Sequence, residues 1–285
     1  MNEKTITMPC RAKINLSLDV IRRRSDGYHN VELIFAETAL SDTLTVTLYK
    51  SSSERAAVTL FCDDPTLPTD SGNIAYRAAR AILNETNTDY CAEITLKKQI
   101  PHGAGLGGGS ADAAGVLNGI NSILKNPVDR RRLLEIGMAL GADVPFCLIG
   151  GCAFAEGIGE ILTPLPTPDF SYVIVKPEQS ISTAYVYQNL DLHNRPENLS
   201  VRTVAEGIRR GDKNMIISAS GNIMESVTAA EVPVINDIKR ALIKNGADFS
   251  LMSGSGTAVF GAFSDMPTAE KAARNMHDFG QVYIG

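Results

Sequence analysis

The sequence predicts two domains of the α+β class. The chain has 285 residues, which corresponds to about two domains at ~150 residues each. Strand-like and helix-like segments both occur, but they do not alternate in the regular order of a doubly wound parallel sheet. With 44% hydrophobic and 21% charged residues, the composition is typical of a folded globular protein and excludes extensive disorder.

The first half is predicted to form strands and then helices. Alternating runs rich in β-branched residues predict strands over 4–20, 31–39, 43–49, 57–62 and 91–98. Apolar residues at helical spacing predict a helix over 73–87, with Asn73 as its N-cap. Further helices are expected from about Ser110 to Leu124 and from near Asp129 to Leu140.

The second half begins after three closely spaced prolines, Pro164, Pro166 and Pro168, which are the best candidate for a domain boundary. We therefore expect domains at 1–160 and 161–285. Strands are predicted at 171–176, 248–253 and 257–263, with a short strand at the end of the chain. Helices are predicted at 182–190, 200–210, 233–245 and 267–278.

Charge and cysteine usage exclude several classes of protein. The net charge of -5 argues against a general nucleic-acid binder, which would more often be basic. No apolar run approaches the ~18 residues of a membrane helix, and the first residues lack the layout of a signal peptide, so we expect a cytoplasmic protein. The five cysteines are scattered without a Cys-x-x-Cys pair, which argues against a disulfide framework or a zinc site.

A glycine-rich loop is the clearest chemical signal in the sequence. Five of the seven residues over 103–109 are glycine, and the loop stands between a predicted strand and a predicted helix. Backbone amides without neighbouring side chains can approach phosphate groups closely, and the positive N-terminal end of the helix favours anions. The loop therefore predicts a phosphate-binding site.

Three common phosphate loops fit this segment poorly. A P-loop needs lysine after its last glycine, but Gly109 is followed by Ser110. The dinucleotide fingerprint is matched by the glycine spacing, but Asp129, at the position of its acidic residue, is predicted to open a helix. The protein-kinase tripeptide at 278–280 lies too close to the C-terminus for a kinase domain.

Three blocks resemble the GHMP kinase superfamily, which includes galactokinases, homoserine kinases and mevalonate kinases. They are Arg11–Leu16, Pro101–Ala114 and Met252–Phe260, and they occur in the order of that superfamily. The resemblance implies an N-terminal domain with a left-handed β-α-β unit and a ferredoxin-like C-terminal α/β sandwich. It also implies ATP-dependent phosphorylation of a small-molecule alcohol.

Two further blocks, Arg24–His29 and Leu140–Glu160, are similar to one branch of the superfamily. Its members phosphorylate the 2-hydroxyl of 4-diphosphocytidyl-2-C-methyl-D-erythritol in the non-mevalonate isoprenoid route. The resemblance implies ATP and Mg²⁺ as cofactors, with no nucleic-acid or membrane partner and a monomer or weak homodimer. The alternatives are another GHMP kinase, such as a homoserine kinase, or a non-catalytic nucleotide-binding regulator; the metal ligands stay open.

The resemblance implies roles for residues at the reacting end. Asp143 is the candidate base for the acceptor hydroxyl, or a group that only orients that hydroxyl. Period-two alternation puts Lys13 and Asn15 on one face of the first strand. By resemblance, Lys13 keeps Asp143 ionised and Asn15 contacts the acceptor substrate. Without the resemblance, Asp143 would be interpreted as a helix cap or turn residue.

The resemblance also implies the binding residues. ATP is expected to contact Pro101, His102, Gly103, Ala104, Gly105, Leu106, Gly107, Gly108, Gly109, Ser110 and Ala111. Asp112 would either help to hold Mg²⁺ or stabilise the start of the helix. The cytidine end is expected to contact Tyr28, His29, Thr183 and Tyr187, with Tyr185 as the rival to Tyr187. Gly254 and Gly256 would let the third block approach the site.

Overall fold

The structure, a computed structural model, describes residues 3–50 and 57–285. The chain forms two compact units that interleave along the sequence. The first unit contains the described residues of Met1–Ala12, Ser41–His102 and Gly107–Gly150, and the second contains Lys13–Leu40, Gly103–Leu106 and Gly151–Gly285. The domain boundary predicted after residue 160 stays a prediction, because these units are not consecutive segments of the chain.

The first half of the chain forms four strands and four helices within the described residues. They are β1 (Lys4–Arg23), β2 (His29–Lys50), β3 (Val58–Cys62), α1 (Ile74–Glu85), β4 (Tyr90–Lys97), α2 (Gly108–Ile123), α3 (Arg130–Leu140) and α4 (Val144–Ile149). As predicted, Asn73 caps α1, and its side chain accepts a hydrogen bond from the Ala75 amide. The side chain of Asp129 caps α3 by accepting a hydrogen bond from the Arg132 amide.

The second half forms the remaining elements. They are β5 (Cys152–Glu156), β6 (Ile161–Leu165), β7 (Ser171–Lys176), α5 (Thr183–Asn189), α6 (Val201–Arg210), α7 (Lys213–Ala219), α8 (Glu225–Glu231), α9 (Val234–Lys244), β8 (Phe249–Met252), β9 (Val259–Phe263), α10 (Met266–Arg274) and β10 (Gln281–Ile284). A short 3₁₀ turn at His277–Phe279 ends the region that was predicted as one helix over 267–278. Among the described residues, no helix combines the length and apolar character needed to cross a membrane.

Most predicted elements are confirmed, but the two strands predicted at 31–39 and 43–49 are one strand, β2. The polar pair Ser41-Asp42 lies between these two predicted strands. Asp42 is instead buried in the strand, where its carboxylate has hydrogen-bond partners. Helices α4, α7 and α8 were not predicted; with six or seven residues each they give a weak periodic signal, although α5, which is as short, was predicted.

The first unit packs helices on a small sheet. Its strand order is β3-β4-β2, with β3 parallel to β4 and β2 antiparallel to β4, so that β3, α1 and β4 form a β-α-β unit. Leu44, Val46 and Ile94 from the sheet share a buried core with α1 and α2. Gly115 makes the close approach of α2 possible, since a Cβ there would lie 2.4 Å from Cys10 Sγ.

The second unit contains a four-stranded antiparallel sheet of order β10-β7-β9-β8. Helices α9 and α10 pack on this sheet. The unit also holds the pairing of β2 with β5, from Leu33 opposite Ala155 to Ala36 opposite Cys152, and the pairing of β5 with β6. An antiparallel sheet covered by helices is the α/β sandwich expected for the C-terminal part of the chain.

Candidate active site

Helix α2 begins at Gly108, two residues earlier than predicted, and no described side chain caps it. The N-cap is Gly107, whose φ of 70° lies in the left-handed region that favours glycine. Gly109 is exposed and Ser110 is half-buried, so this end of the helix is accessible. The amides of its first turn therefore need an acceptor from outside the helix, as at anion-binding helix termini.

Residues Gly103–Leu106 of the same loop belong to the second unit and are held there from behind. Ser253 Oγ donates to the Gly105 carbonyl at 2.9 Å, and the Ala258 amide donates to the Ala104 carbonyl at 3.1 Å. Gly105 has a φ of 79°, and a Cβ there would lie 2.1 Å from the Ser253 carbonyl oxygen. Glycine is therefore required at 105 by both conformation and space.

The third block is itself fixed by Asn222, which the sequence analysis did not identify. Its amide Nδ2 donates to the carbonyls of Met252 and Gly254, at 2.8 Å each. Asn222 is buried and lies in a connection without periodicity, so nothing local in the sequence marks it. A Cβ on Gly254 would lie 3.4 Å from Asn15 Oδ1, which places the third block beside the first.

Lys13 and Asn15 are buried side by side on β1, as the period-two pattern predicts. Lys13 Nζ donates to Asn15 Oδ1 at 2.9 Å and lies 5.2 Å from the ring centroid of Phe35. The Lys13 amide donates to the Leu106 carbonyl at 3.0 Å. The lysine is therefore tied to the glycine-rich loop through its backbone, and its charge is held by an amide and an aromatic face.

Asp143 directly precedes α4, but its side chain does not cap that helix. The residue is half-buried. A Cβ on Gly141 would lie 4.0 Å from Ser110 Oγ, so the turn that leads to Asp143 lies beside the start of α2. Lys13 belongs to the second unit and Asp143 to the first. The predicted interaction between their side chains stays a prediction.

A buried charge cluster, which the sequence analysis did not identify, lies behind the loop in the first unit. Lys98 Nζ donates to Asp42 Oδ2 and, at 2.5 Å, to Asp112 Oδ2. Asp42 Oδ1 accepts from the amides of Gln99 and Ile100, at 2.5 and 2.8 Å. The cluster therefore joins the strand that enters the loop to the helix that leaves it. A polar residue inside an apolar strand, Asp42, was the signal that could have found it.

Burial shifts the pKa values of two members of this cluster, Asp112 and Lys98. It raises the pKa of Asp112 to about 7; Lys98 opposes this effect and the carboxylate of Asp42 adds to it. Burial also lowers the pKa of Lys98, but Asp112 and Asp42 outweigh it and leave that pKa raised. Asp112 Oδ1 is buried without a hydrogen-bond partner. A carboxylate in this position is a structural partner of Lys98 rather than an accessible metal ligand.

Two aromatic side chains from distant parts of the sequence stack in the second unit. The rings of His29 and Tyr187 stack, with centroids 4.8 Å apart and planes at 25°. Tyr185 instead donates its hydroxyl to Glu231 Oε1 at 2.9 Å. Tyr28 is 60% exposed. This arrangement supports Tyr187 over Tyr185 as the residue that works with His29.

The turn before His29 is built by Arg24 and Asp26. Arg24 pairs with Asp26 at 2.8 Å, and Asp26 Oδ1 accepts from the Tyr28 amide at 3.1 Å. Gly27 has a φ of 87°, which the turn requires. Partial burial and the charge of Arg23 lower the pKa of His29. A neutral imidazole offers one donor and one acceptor, which suits the reading of a base edge.

Comparisons with known proteins agree with this geometry. The family model of the GHMP kinases N terminal domain matches residues 73–151, and that of the GHMP kinases C terminal matches residues 204–282. The 4-diphosphocytidyl-2-C-methyl-D-erythritol kinase of Alkaliphilus metalliredigens (strain QYMF) is 41% identical over 96% of this chain and 93% of its own length. The protein of the same name from Geobacter sulfurreducens is also 41% identical, over 96% of this chain and 95% of its own.

Two solved structures are also similar to this chain. A crystal structure of 4-(cytidine 5'-diphospho)-2C-methyl-D-erythritol kinase has a TM-score of 0.83 and 34% identity, over 98% of both chains. The homoserine kinase from Cytophaga hutchinsonii has a TM-score of 0.79, covering 100% of this chain and 95% of that chain. At 22% identity, the second likeness shows the fold alone.

Proposed function

The chain belongs to the GHMP kinases and, among them, to the 4-diphosphocytidyl-2-C-methyl-D-erythritol kinases, and we propose that it transfers the γ-phosphoryl group of ATP to the 2-hydroxyl of 4-diphosphocytidyl-2-C-methyl-D-erythritol. The reaction is a step in the non-mevalonate route to isoprenoid precursors. The observation that carries the proposal is the uncapped, glycine-rich start of α2 beside the turn that bears Asp143. The proposed phosphate site at this helix start and the carboxylate of Asp143 both belong to the first unit.

ATP is proposed to bind with its phosphates against the glycine-rich loop. The first-turn amides of α2 and the hydroxyl of Ser110 supply donors, and the helix dipole adds a positive potential. The contacts of Ser253 and Ala258 support the loop from behind. Phosphoryl transfer depends mainly on positioning and charge stabilisation, so a fixed set of donors is the main requirement of this half of the site.

Mg²⁺ is proposed to enter with ATP. In nucleotide sites it typically binds phosphate oxygens, water and only one or two protein ligands. The part of the chain that the structure describes holds no group of three or more His, Cys, Asp or Glu residues suited to a metal. Asp112 is buried against Lys98, and the half-buried Ser110 hydroxyl is the protein ligand that we propose. When bound, the cation would neutralise charge on the phosphates.

Asp143 is proposed to act on the acceptor. Its carboxylate accepts the proton of the 2-hydroxyl while that oxygen bonds to the γ-phosphorus, and the bond from phosphorus to the β–γ bridging oxygen breaks to release ADP. A tertiary hydroxyl is crowded and weakly acidic, so a base at this position is useful. Lys13 is proposed to keep Asp143 ionised and to stabilise charge on the transferring group.

The cytidine end is proposed to bind between aromatic side chains of the second unit. Tyr28 and Tyr187 supply faces on which the base can stack, and neutral His29 reads its polar edge. Asn15 and Thr183 are proposed to bind the polar groups of the acceptor. The requirement for ATP supports a cytoplasmic location, and a monomer or weak homodimer is the proposed assembly.

A substrate panel tests the proposed function. Purified protein with ATP and Mg²⁺ should form ADP with 4-diphosphocytidyl-2-C-methyl-D-erythritol and at least a hundredfold more slowly with homoserine or mevalonate, because a site built for polar groups rejects ligands that leave them unpaired. Asp143→Asn is the matched control for contaminating kinases. Faster turnover of homoserine would assign the chain to another kinase activity, and nucleotide binding without turnover of any alcohol would favour a regulator.

A further inference from the structure

A short buried loop, Ser253–Thr257, makes contacts in two directions within the second unit; we call it the serine loop. Its hydroxyl-bearing residues are Ser253, Ser255 and Thr257, and each is buried. Ser253 bonds to Gly105 of the glycine-rich loop. Ser255 instead bonds to Thr183, the first residue of α5, and Thr257 bonds to Gln179, which precedes that helix. Neighbouring side chains of one loop therefore support different segments.

Ser255 holds the first residue of α5. Its Oγ lies 2.7 Å from Oγ1 of Thr183, and the Thr183 side chain is otherwise exposed. On its other side, the Ser255 carbonyl accepts from Thr228 Oγ1 of α8 at 3.2 Å. An exposed threonine would ordinarily sample several rotamers, but here a buried and anchored hydroxyl fixes one of them.

The residues before Thr183 are held in a similar way. Thr257 Oγ1 donates to the Gln179 carbonyl at 2.7 Å. Lys176 Nζ donates to the same carbonyl at 2.9 Å and to the Pro177 carbonyl at 2.5 Å. Lys176 is largely buried, and burial lowers its pKa. Several buried groups therefore fix the approach to α5, the helix that also carries Tyr187.

We propose that Ser255 is a positioning residue for the acceptor substrate, acting through the hydroxyl of Thr183; this rests on the proposed function. In a pair of bonded hydroxyls, one O–H is used between them and the other remains to be donated. When Ser255 donates to Thr183, the Thr183 O–H is directed to a ligand. Ser253, two residues away, supports only the ATP side.

Steady-state kinetics separates the two serines. Ser255→Ala is expected to raise KM for the cytidylyl substrate about three- to tenfold, the equivalent of one lost hydrogen bond, and to leave KM for ATP within about twofold. Ser253→Ala is expected to do the reverse. Ser250→Ala is the matched control, because the hydroxyl of this buried serine donates to the Phe260 carbonyl on the neighbouring strand. It should lower Tm while leaving both KM values unchanged.

A double-mutant cycle tests whether Ser255 acts through Thr183. Thr183→Val should raise the same KM, and adding Ser255→Ala to it should change KM by less than about twofold, because the shared contact is already lost. Ser255→Thr, which keeps the hydroxyl, should restore the wild-type KM. Additive losses in the double variant, or equal losses for both substrates in Ser255→Ala, would overturn the proposal. If the wild-type protein does not turn over the cytidylyl substrate, the proposed function itself fails, and this inference with it.

Discussion

Asp143 shows how the proposed chemistry depends on a single carboxylate. Asp143 directly precedes α4. Its side chain does not cap that helix, although capping is a common role of an aspartate at this position. Gly141 keeps this turn close to Ser110 at the start of α2. The position suits a group that meets the acceptor hydroxyl next to the transferred phosphoryl group.

Asp143→Asn should reduce kcat by a factor on the order of 10² or more, because the amide keeps the shape of the side chain but cannot accept the proton. KM for ATP should change by less than about threefold. Single-turnover kinetics with saturating ATP measures the effect on the chemical step. A folded variant that keeps kcat within about threefold of wild type would show that Asp143 only orients the hydroxyl.

His29 gives a prediction about pH. Its pKa is lowered from the usual 6.5, so the neutral form should persist below that pH. KM for the cytidylyl substrate should therefore be constant from about pH 8 to below 6.5 and rise only at lower pH, as protonation removes the acceptor nitrogen. His29→Gln, which does not titrate, should show a flat profile. Identical profiles for the two proteins would remove His29 from base reading.

Single residues also show where sequence reasoning stops. The same-face placement of Lys13 and Asn15 followed from strand alternation, because that period is local. The contacts that distinguish Tyr187 from Tyr185 did not, because their partners, His29 and Glu231, are distant in the sequence; the role of Tyr187 at the cytidine end stays a prediction.

Among the elements, the glycine-rich loop is held at both ends by buried charges. Lys98 ends the approach to the loop, Asp112 lies in the first turns of α2, and Asp42 of β2 binds the amides of Gln99 and Ile100. The loop could be predicted from its glycines. The cluster that holds it could not be predicted as a whole, because Asp42 stands out in an apolar strand but its partners Lys98 and Asp112 come from distant parts of the sequence.

Lys98→Met should lower the free energy of unfolding by about 3–5 kcal/mol, because it removes the cation that the buried Asp42 and Asp112 share. Lys97→Met is the matched control, since that neighbouring lysine is exposed, and it should change stability by less than about 0.5 kcal/mol. Urea unfolding of both variants at pH 7 measures the difference. Equal stabilities would mean that the cluster contributes little to holding the loop.

For the whole molecule, motif order was more informative than periodicity. The ordered blocks run from Arg11 to Phe260, and together they indicated the family. The interleaving of the two units could not be predicted, because local patterns do not specify which distant segments pack together. The continuity of β2 was missed for the same reason, because the partners of Asp42, the amides of Gln99 and Ile100, lie in the segment after β4 and are distant in the sequence.

³¹P NMR of the reaction mixture is the direct test of whether the γ-phosphoryl group of ATP is transferred to the tertiary 2-hydroxyl. A phosphate on a tertiary carbon has no hydrogen on that carbon to couple to. We therefore expect a new phosphomonoester signal without splitting from a proton on that carbon, formed in equal amount to ADP and at least about a hundredfold more slowly with Asp143→Asn. A signal split by carbon-bound protons would place the phosphate on a primary or secondary hydroxyl. ADP without any new phosphomonoester would show hydrolysis alone. Either result would contradict transfer to the tertiary 2-hydroxyl.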